Sequence, residues 1–454
     1  MKKNDIIDIE IVDNGMNFEG IGKVEDKVVF VPDAIIGERI VAKIVKENRS
    51  YAIGKIDRIE NKSVYRKEPF CEASLCCGGC SAQHIAYDFQ LILKTKMVEN
   101  VLKKLKIDVG KIENIVGMGM PYYYRNKAQY PVSVNENGDM IIGFYAKRSH
   151  SIVQNKCCYI QNRVIDIISK EVIEKLIEAG FSGYDELKKT GDICHIVIRR
   201  GYHTKETMIV IVVSNIDLLN DTRFPTLVHK LIEKNNTIKS IYLNLNDDFT
   251  NKILGDKQKL VYGEKYIHDK IGKYMFKISS KSFFQVNTIQ AEVLYHILQD
   301  KLELKGNEVL FDLYSGVGSI GIFLSESVKQ VYGIEIETES VEMANLNILD
   351  NNVSNAEYIV GSVEEKIEEF KEKNIHPDVI VIDPPRKGLD DKTKKYLIDF
   401  NPKKIGYISC NPSTLARDLK ELSKFYTIDF VTPVDMFPHT THVECVCVLE
   451  LKKS

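Results

Sequence analysis

The sequence contains no apolar run long enough to cross a membrane, which excludes a protein anchored by a bilayer-spanning helix. It opens Met1-Lys2-Lys3-Asn4-Asp5 and passes directly into alternating residues, so no signal peptide is expected and the cytoplasm is the expected location. Net charge is nearly absent: 62 Lys and Arg against 64 Asp and Glu leave −2. Charge alone therefore does not announce a nucleic-acid partner. Internal repeats and low-complexity linkers are also absent, which leaves packed domains.

What is present is ordinary in amount and uneven in placement. At 454 residues the chain is too long for one core, and roughly two to four domains are expected. Apolar residues make up 44% and charged residues 28%, as in soluble globular proteins. Residues 89–127 hold eight Lys and Arg against three Asp and Glu; residues 143–163 hold four and none. Such stretches follow a phosphate backbone or simply face solvent. Four of the ten cysteines, Cys71, Cys76, Cys77 and Cys80, fall within ten residues. In a cytosolic protein that clustering points to metal binding, not disulfides.

Three patterns divide the chain. Residues 4–60 read as β: segments 6–12, 27–31, 39–45 and 52–59 carry branched apolar residues, punctuated by glycines, and predict a small barrel. Residues 87–106 have helical apolar spacing. Between about 115 and 280, extended segments at 129–134, 141–145, 195–199, 208–213 and 240–245 mix with helices, an α+β pattern. From about 288, a helix at 289–302 precedes strands at 308–313, 330–336, 357–360, 379–383 and 404–409, separated by helices. That alternation predicts an open, largely parallel α/β sheet.

The third part carries the chemistry. Asp312-Leu313-Tyr314-Ser315-Gly316-Val317-Gly318-Ser319 leaves a strand and opens a helix, and its glycines let backbone approach a ligand. Glu335 ends the next strand, where an acid accepts hydrogen bonds from ribose hydroxyls. The third glycine of a dinucleotide loop is missing, which favours S-adenosylmethionine over a pyrophosphate cofactor. Asp383-Pro384-Pro385-Arg386 ends the fourth strand; Arg386 stands where enzymes that methylate exocyclic nitrogens carry an aromatic. Cys410, in Ser409-Cys410-Asn411-Pro412, lies just past a strand end on the same rim. Carbon 5 of uracil is a poor nucleophile. A thiolate adding to carbon 6 enriches carbon 5, which takes the methyl group, and a base then removes the carbon-5 proton. Glu444, in His442-Val443-Glu444, is the candidate base.

These motifs, with Ser282-Phe283-Phe284-Gln285-Val286-Asn287, resemble the bacterial RNA 5-methyluridine methyltransferase family in order and over nearly the whole chain. The resemblance implies a TRAM barrel (OB-like, RNA-binding) over 1–62, a central α+β domain over 63–285 and a Rossmann-like class I methyltransferase domain over 286–454. It implies that Gln285, Tyr314, Glu335 and Asp383 contact adenosylmethionine, that Cys410 attacks uracil and that Glu444 is the base. Ser319 and Ser362 stand where some members carry cofactor-contacting asparagines. Cys71, Cys77 and Cys80 resemble the iron–sulfur segment of the ribosomal RNA branch, with Cys158 as the best-fitting fourth ligand; the neighbouring Cys76 and Cys157 leave open a register one residue earlier at either place. A four-iron cluster is the expected occupant and zinc the alternative. Tyr122-Tyr123-Tyr124-Arg125-Asn126-Lys127 suits stacking and phosphate contact. The implied substrate is large-subunit (23S) ribosomal RNA, with no membrane and no obligate protein partner. A transfer-RNA enzyme and a noncatalytic RNA-binding protein are the alternatives.

Overall fold

The computed structural model describes residues 1–247 and 252–453. The amino-terminal part is a six-stranded sheet curled on itself. Its main strands are Ile6–Glu10, Gly20–Val24, Lys27–Val31, Arg39–Glu47 and Tyr51–Asn61. Alternate residues Ile9, Val29, Val31, Ile40, Ala42 and Ile44 fill its interior, as the period of two requires. Gly22 allows the closure, because a Cβ there would lie 2.5 Å from the Glu10 carbonyl.

The barrel is docked. Its Phe18 and Ile35 are buried in one core with Ile85 and Phe89 of the following segment. Tyr65 stacks on Phe89 with ring centroids 3.7 Å apart. Glu38, fully buried, takes two bonds from Arg66 and one from the Ile35 amide.

The central sheet has six strands, in the order Gln258–Gly263, Ile238–Leu245, Thr207–Val213, Ile193–Arg200, Lys127–Val134, Met140–Ile142. One face, with Ile209, Ile211 and Val213, packs on helices Arg163–Glu178 and Arg223–Lys234. The other, with Met208, Val210 and Val212, joins the carboxyl-terminal core. The expected strand 141–145 is broken at Gly143, where a Cβ would lie 2.1 Å from the Val153 carbonyl.

The carboxyl-terminal sheet has eight strands. Ala356–Val360, Gln330–Glu335, Val309–Leu313, Val379–Ile382 and Lys404–Ser409 are parallel neighbours in that order. Glu444–Leu451 inserts antiparallel between Lys404–Ser409 and Tyr426–Val434. Lys111–Ile112, from far upstream, closes the edge. Chain order reverses between Val309–Leu313 and Val379–Ile382, and ligands of open α/β sheets bind at such a switch point. Helix Tyr87–Lys104 also packs on this unit, against helix Pro412–Leu422. Among the described residues no helix is long and apolar enough to cross a membrane.

Candidate active site

A cavity of about 720 Å³ opens at the switch point. Gln285, Tyr314, Glu335, Asp383, Cys410 and Glu444, scattered over 160 residues of sequence, all line it. The wall nearest the first strand is the glycine loop. Gly316 and Gly318 have φ of +54° and +78°, where a side chain would be strained. The Gly316 amide donates to Glu335 at 3.0 Å, and the Ile336 and Glu337 amides donate to the other oxygen of the same carboxylate. Glu335 is thus fixed by backbone and keeps lone pairs for further donors. Asp312 accepts the Gly321 amide at 2.9 Å, and burial pushes its carboxyl up to about 7.

One support of this loop left no mark in the sequence motifs. Tyr358 lies beneath the loop and donates to the Gly318 carbonyl at 3.0 Å. Gly333 and Gly321 make room for its ring: a Cβ on Gly333 would sit 2.0 Å from it. Of the two serines expected near the cofactor, Ser319 pairs with the Tyr295 hydroxyl at 2.8 Å, while Ser362 caps helix Val363–Glu372 in a capping box with Glu365. Both line the cavity.

The opposite wall carries the reactive groups. Ser409 pairs with Cys445, so Cys410 and Glu444 leave their strands as neighbours. Asn411 caps the helix Pro412–Leu422 that begins just after Cys410, and its amide also reaches the Arg386 carbonyl at 3.3 Å. The Pro-Pro-Arg-Lys-Gly loop is held from below by Arg417, which donates to the Lys387 and Leu389 carbonyls, and by Asp418, which accepts the Leu389 amide and the Tyr407 hydroxyl. Burial raises Cys410 to about 11, the charges of Glu444 and Asp383 add to the rise, and Arg386 opposes it. Burial and then Asp383 raise Glu444 to about 8, again against Arg386. Asp383 rises to about 7 by burial. Negative charge on Asp383 thus disfavours ionisation of Glu444, and both carboxylates disfavour the Cys410 thiolate. Burial and Arg386 keep His442, also on the cavity, neutral near pH 7, with its pKa lowered to about 4.

Cys71, Cys77, Cys80 and Cys158 line a second cavity, of about 200 Å³, with Arg125, Gln129 and Gln161. Cys76 and Cys157 are not on its wall, Cys76 is exposed, and Cys194 lies in a separate core. Among the described residues, no three His, Cys, Asp or Glu side chains are grouped closely enough to hold a metal ion. Burial raises Cys80 to about 12 and Cys158 to about 11, so as free groups they are thiols. Of the aromatic-basic string, Tyr124 is buried and bonded to the Pro438 carbonyl, whereas Arg125 reaches the cysteine cavity. Segments flanking the two cavities are bonded to each other: the Ser81 and Ala82 amides both donate to the His439 carbonyl, and the Thr441 amide donates to Ser81.

Residues 213–452 match the tRNA (Uracil-5-)-methyltransferase family, and residues 2–56 match the TRAM domain. The chain belongs to the tRNA (uracil-5-)-methyltransferase family. Its relatives include an uncharacterized RNA methyltransferase of Oceanobacillus iheyensis, 42% identical over 100% of this chain and 98% of that one. Another, from Clostridium acetobutylicum, is 43% identical over 99% and 98%. Among solved structures, the Pyrococcus abyssi tRNA (uracil-54, C5)-methyltransferase in complex with S-adenosyl-L-homocysteine is similar with a TM-score of 0.77 and 28% identity. That likeness covers 98% of this chain and 100% of that one. A TRAM domain at the amino end and a class I methyltransferase fold at the carboxyl end of this family member follow from these matches.

Proposed function

We propose that the chain transfers a methyl group from S-adenosylmethionine to carbon 5 of a uridine in 23S ribosomal RNA, with Cys410 as nucleophile and Glu444 as base. The observation that carries this reading is the pairing of Ser409 with Cys445, which brings Cys410 and Glu444 together on the cavity shared by Gln285, Tyr314, Glu335 and Asp383. Adenosylmethionine supplies the electrophilic methyl group. Glu335 takes the ribose hydroxyls on its free lone pairs, and the exposed Ile336 beside it offers an apolar wall to a flat ring. Cys410 rests as a thiol; the adjacent helix N-terminus and Arg386 favour the thiolate that adds to carbon 6. Carbon 5 takes the methyl group, leaving S-adenosylhomocysteine; Glu444 then removes the carbon-5 proton as the Cys410 thiolate is expelled from carbon 6. Its raised pKa matches a proton transfer near neutral pH.

The ribosomal substrate rests on the resemblance of the barrel and cysteine segment to that branch. A transfer-RNA substrate is the second reading. It is favoured by the full-length likeness to the Pyrococcus abyssi tRNA enzyme, which leaves the barrel unable to separate the two RNA classes by itself. A noncatalytic role fits poorly with a thiol and a raised-pKa carboxyl facing one cavity. Labelled-methyl transfer to purified 23S rRNA and tRNA, with 5-methyluridine mapping in a strain lacking the protein, tests the choice. Label in tRNA alone refutes the ribosomal assignment.

The same proposal gives Cys71, Cys77, Cys80 and Cys158 a four-iron–four-sulfur cluster. Four cysteines lining one cavity are the supporting observation. Zinc in a four-cysteine site is the alternative occupant. Methyl transfer needs no electron, so the cluster's expected role is structural or RNA-positioning.

A further inference from the structure

Lys94 is fully buried, and so is its partner Asp435, 2.6 Å from its ammonium. The ammonium also donates to the Phe437 carbonyl at 3.1 Å. The second oxygen of Asp435 accepts the Tyr87 hydroxyl at 2.8 Å, and that hydroxyl accepts the Met118 amide at 2.8 Å. Apolar residues of similar size often replace a buried ion pair at no cost in stability. Cohesion alone therefore does not explain a lysine at this depth. What a charged, hydrogen-bonded pair adds is a fixed direction and distance between two elements.

The two elements are helix Tyr87–Lys104 and the connection 435–443 between strands Tyr426–Val434 and Glu444–Leu451. Tyr87, Gln90 and Lys94 share one helix face by their spacing. Gln90 accepts the His439 amide at 3.1 Å and meets the His439 ring at 3.2 Å. From the other side Asn287 donates to the Met436 carbonyl at 2.9 Å. The connection so clamped carries Phe437 and His442 onto the cavity wall and ends at Glu444. Cys410 is held by its own strand, which pairs with that of Glu444, and by the Asn411-capped helix. That helix also packs on Tyr87–Lys104, but the bonds of the Lys94 ammonium go to Asp435 and Phe437 and not to it.

We propose that Lys94 is a positioning residue for the reaction. Its pair with Asp435 sets the height of the 435–443 connection and so aims Glu444 at the carbon-5 proton. The inference rests on the reading of Glu444 as the base. It assigns Lys94 to the last chemical step, proton removal and release of the thiol, and not to addition or methyl transfer.

The test separates those steps. On RNA carrying 5-fluorouridine at the target, wild type adds and methylates but cannot expel fluorine as a cation, so adduct formation reports the early steps alone. Lys94→Met is expected to form that adduct within about threefold of the wild-type rate, and to lose about 10²-fold in turnover on uridine RNA, the scale of a small misplacement. Methyl-labelled protein–RNA adduct should accumulate on uridine RNA. Asp435→Asn is read by the same criteria if Lys94→Met does not fold. Normal turnover, or an equal loss in both assays, overturns the positioning role. Glu444→Gln, run alongside, keeps the two failures apart. If it turns over normally, the base assignment has failed; if it accumulates adduct while Lys94→Met does not, only the positioning role has.

Discussion

Ser409 and Cys445 face each other across antiparallel strands, and the residue after the one and before the other, Cys410 and Glu444, share the cavity with Asp383. A register slip of one residue would turn each side chain to the opposite face of the sheet. The chemistry proposed for this chain therefore depends on a strand register.

The pH dependence follows from Glu444. Its carboxyl ionises near its ordinary 4.5 when unfolded and near 8 when folded. Between those values the folded state keeps a proton that the unfolded state has lost, so this group's contribution to stability falls as pH rises. Glu444→Gln should thus match wild type near pH 4 and exceed it near pH 9 by a few kcal/mol at most. Urea unfolding at the two pH values measures this; a difference independent of pH contradicts it. Wild-type kcat/KM should rise with pH up to about 8 as the base ionises.

The cysteines divide into two groups. Protein prepared without oxygen should be brown and contain iron. Cys71→Ser, Cys77→Ser, Cys80→Ser and Cys158→Ser should lose it, and Cys76→Ser and Cys194→Ser should keep it. Stoichiometric zinc without iron in the anaerobic preparation contradicts the cluster.

Lys43 and Lys55, both exposed, lie directly opposite each other on barrel strands. Like charges in that relation cost stability, a cost that an RNA phosphate between them would offset. Lys43→Ala with Lys55→Ala should weaken RNA binding and make its log–log salt slope shallower by about 1–2, with adenosylmethionine affinity unchanged. Point changes are the cleaner test here, because deleting the barrel would also strip Phe18 and Ile35 from the core they share with Phe89. An unchanged RNA dissociation constant at matched salt contradicts the site.

Gly333 has no room for a methyl group against Tyr358. Gly333→Ala should cost about 1–3 kcal/mol, the usual cost of overpacking, and weaken adenosylmethionine binding by shifting the glycine loop that Tyr358 supports. Thermal unfolding and calorimetric titration read both; a wild-type melting temperature contradicts the clash.

Much of the site was legible because its residues follow strand ends. Tyr314, Glu335, Asp383 and Cys410 each sit just beyond or at the end of a parallel strand, and that placement needs only local pattern. Lys27–Val31 and Lys404–Ser409 fall where alternation and apolar runs put them. What local pattern cannot carry is pairing across long separations. The edge strand Lys111–Ile112 is two residues long and owes its form to Phe430 and Val431. Lys94 reads as one more lysine on a basic helix, yet its partner lies 341 residues away. Tyr358 looks like an ordinary strand aromatic until the glycines above it are seen to be its clearance.

The central claim is that Cys410 opens the catalytic cycle and Glu444 closes it. The most direct measurement is a denaturing gel of protein mixed with substrate RNA and methyl-labelled adenosylmethionine. Glu444→Gln keeps size and hydrogen bonding but cannot take the proton. It should stall as a labelled protein–RNA adduct, while Cys410→Ala binds both substrates and forms none. An adduct formed by Cys410→Ala, or normal turnover by Glu444→Gln, would contradict the account.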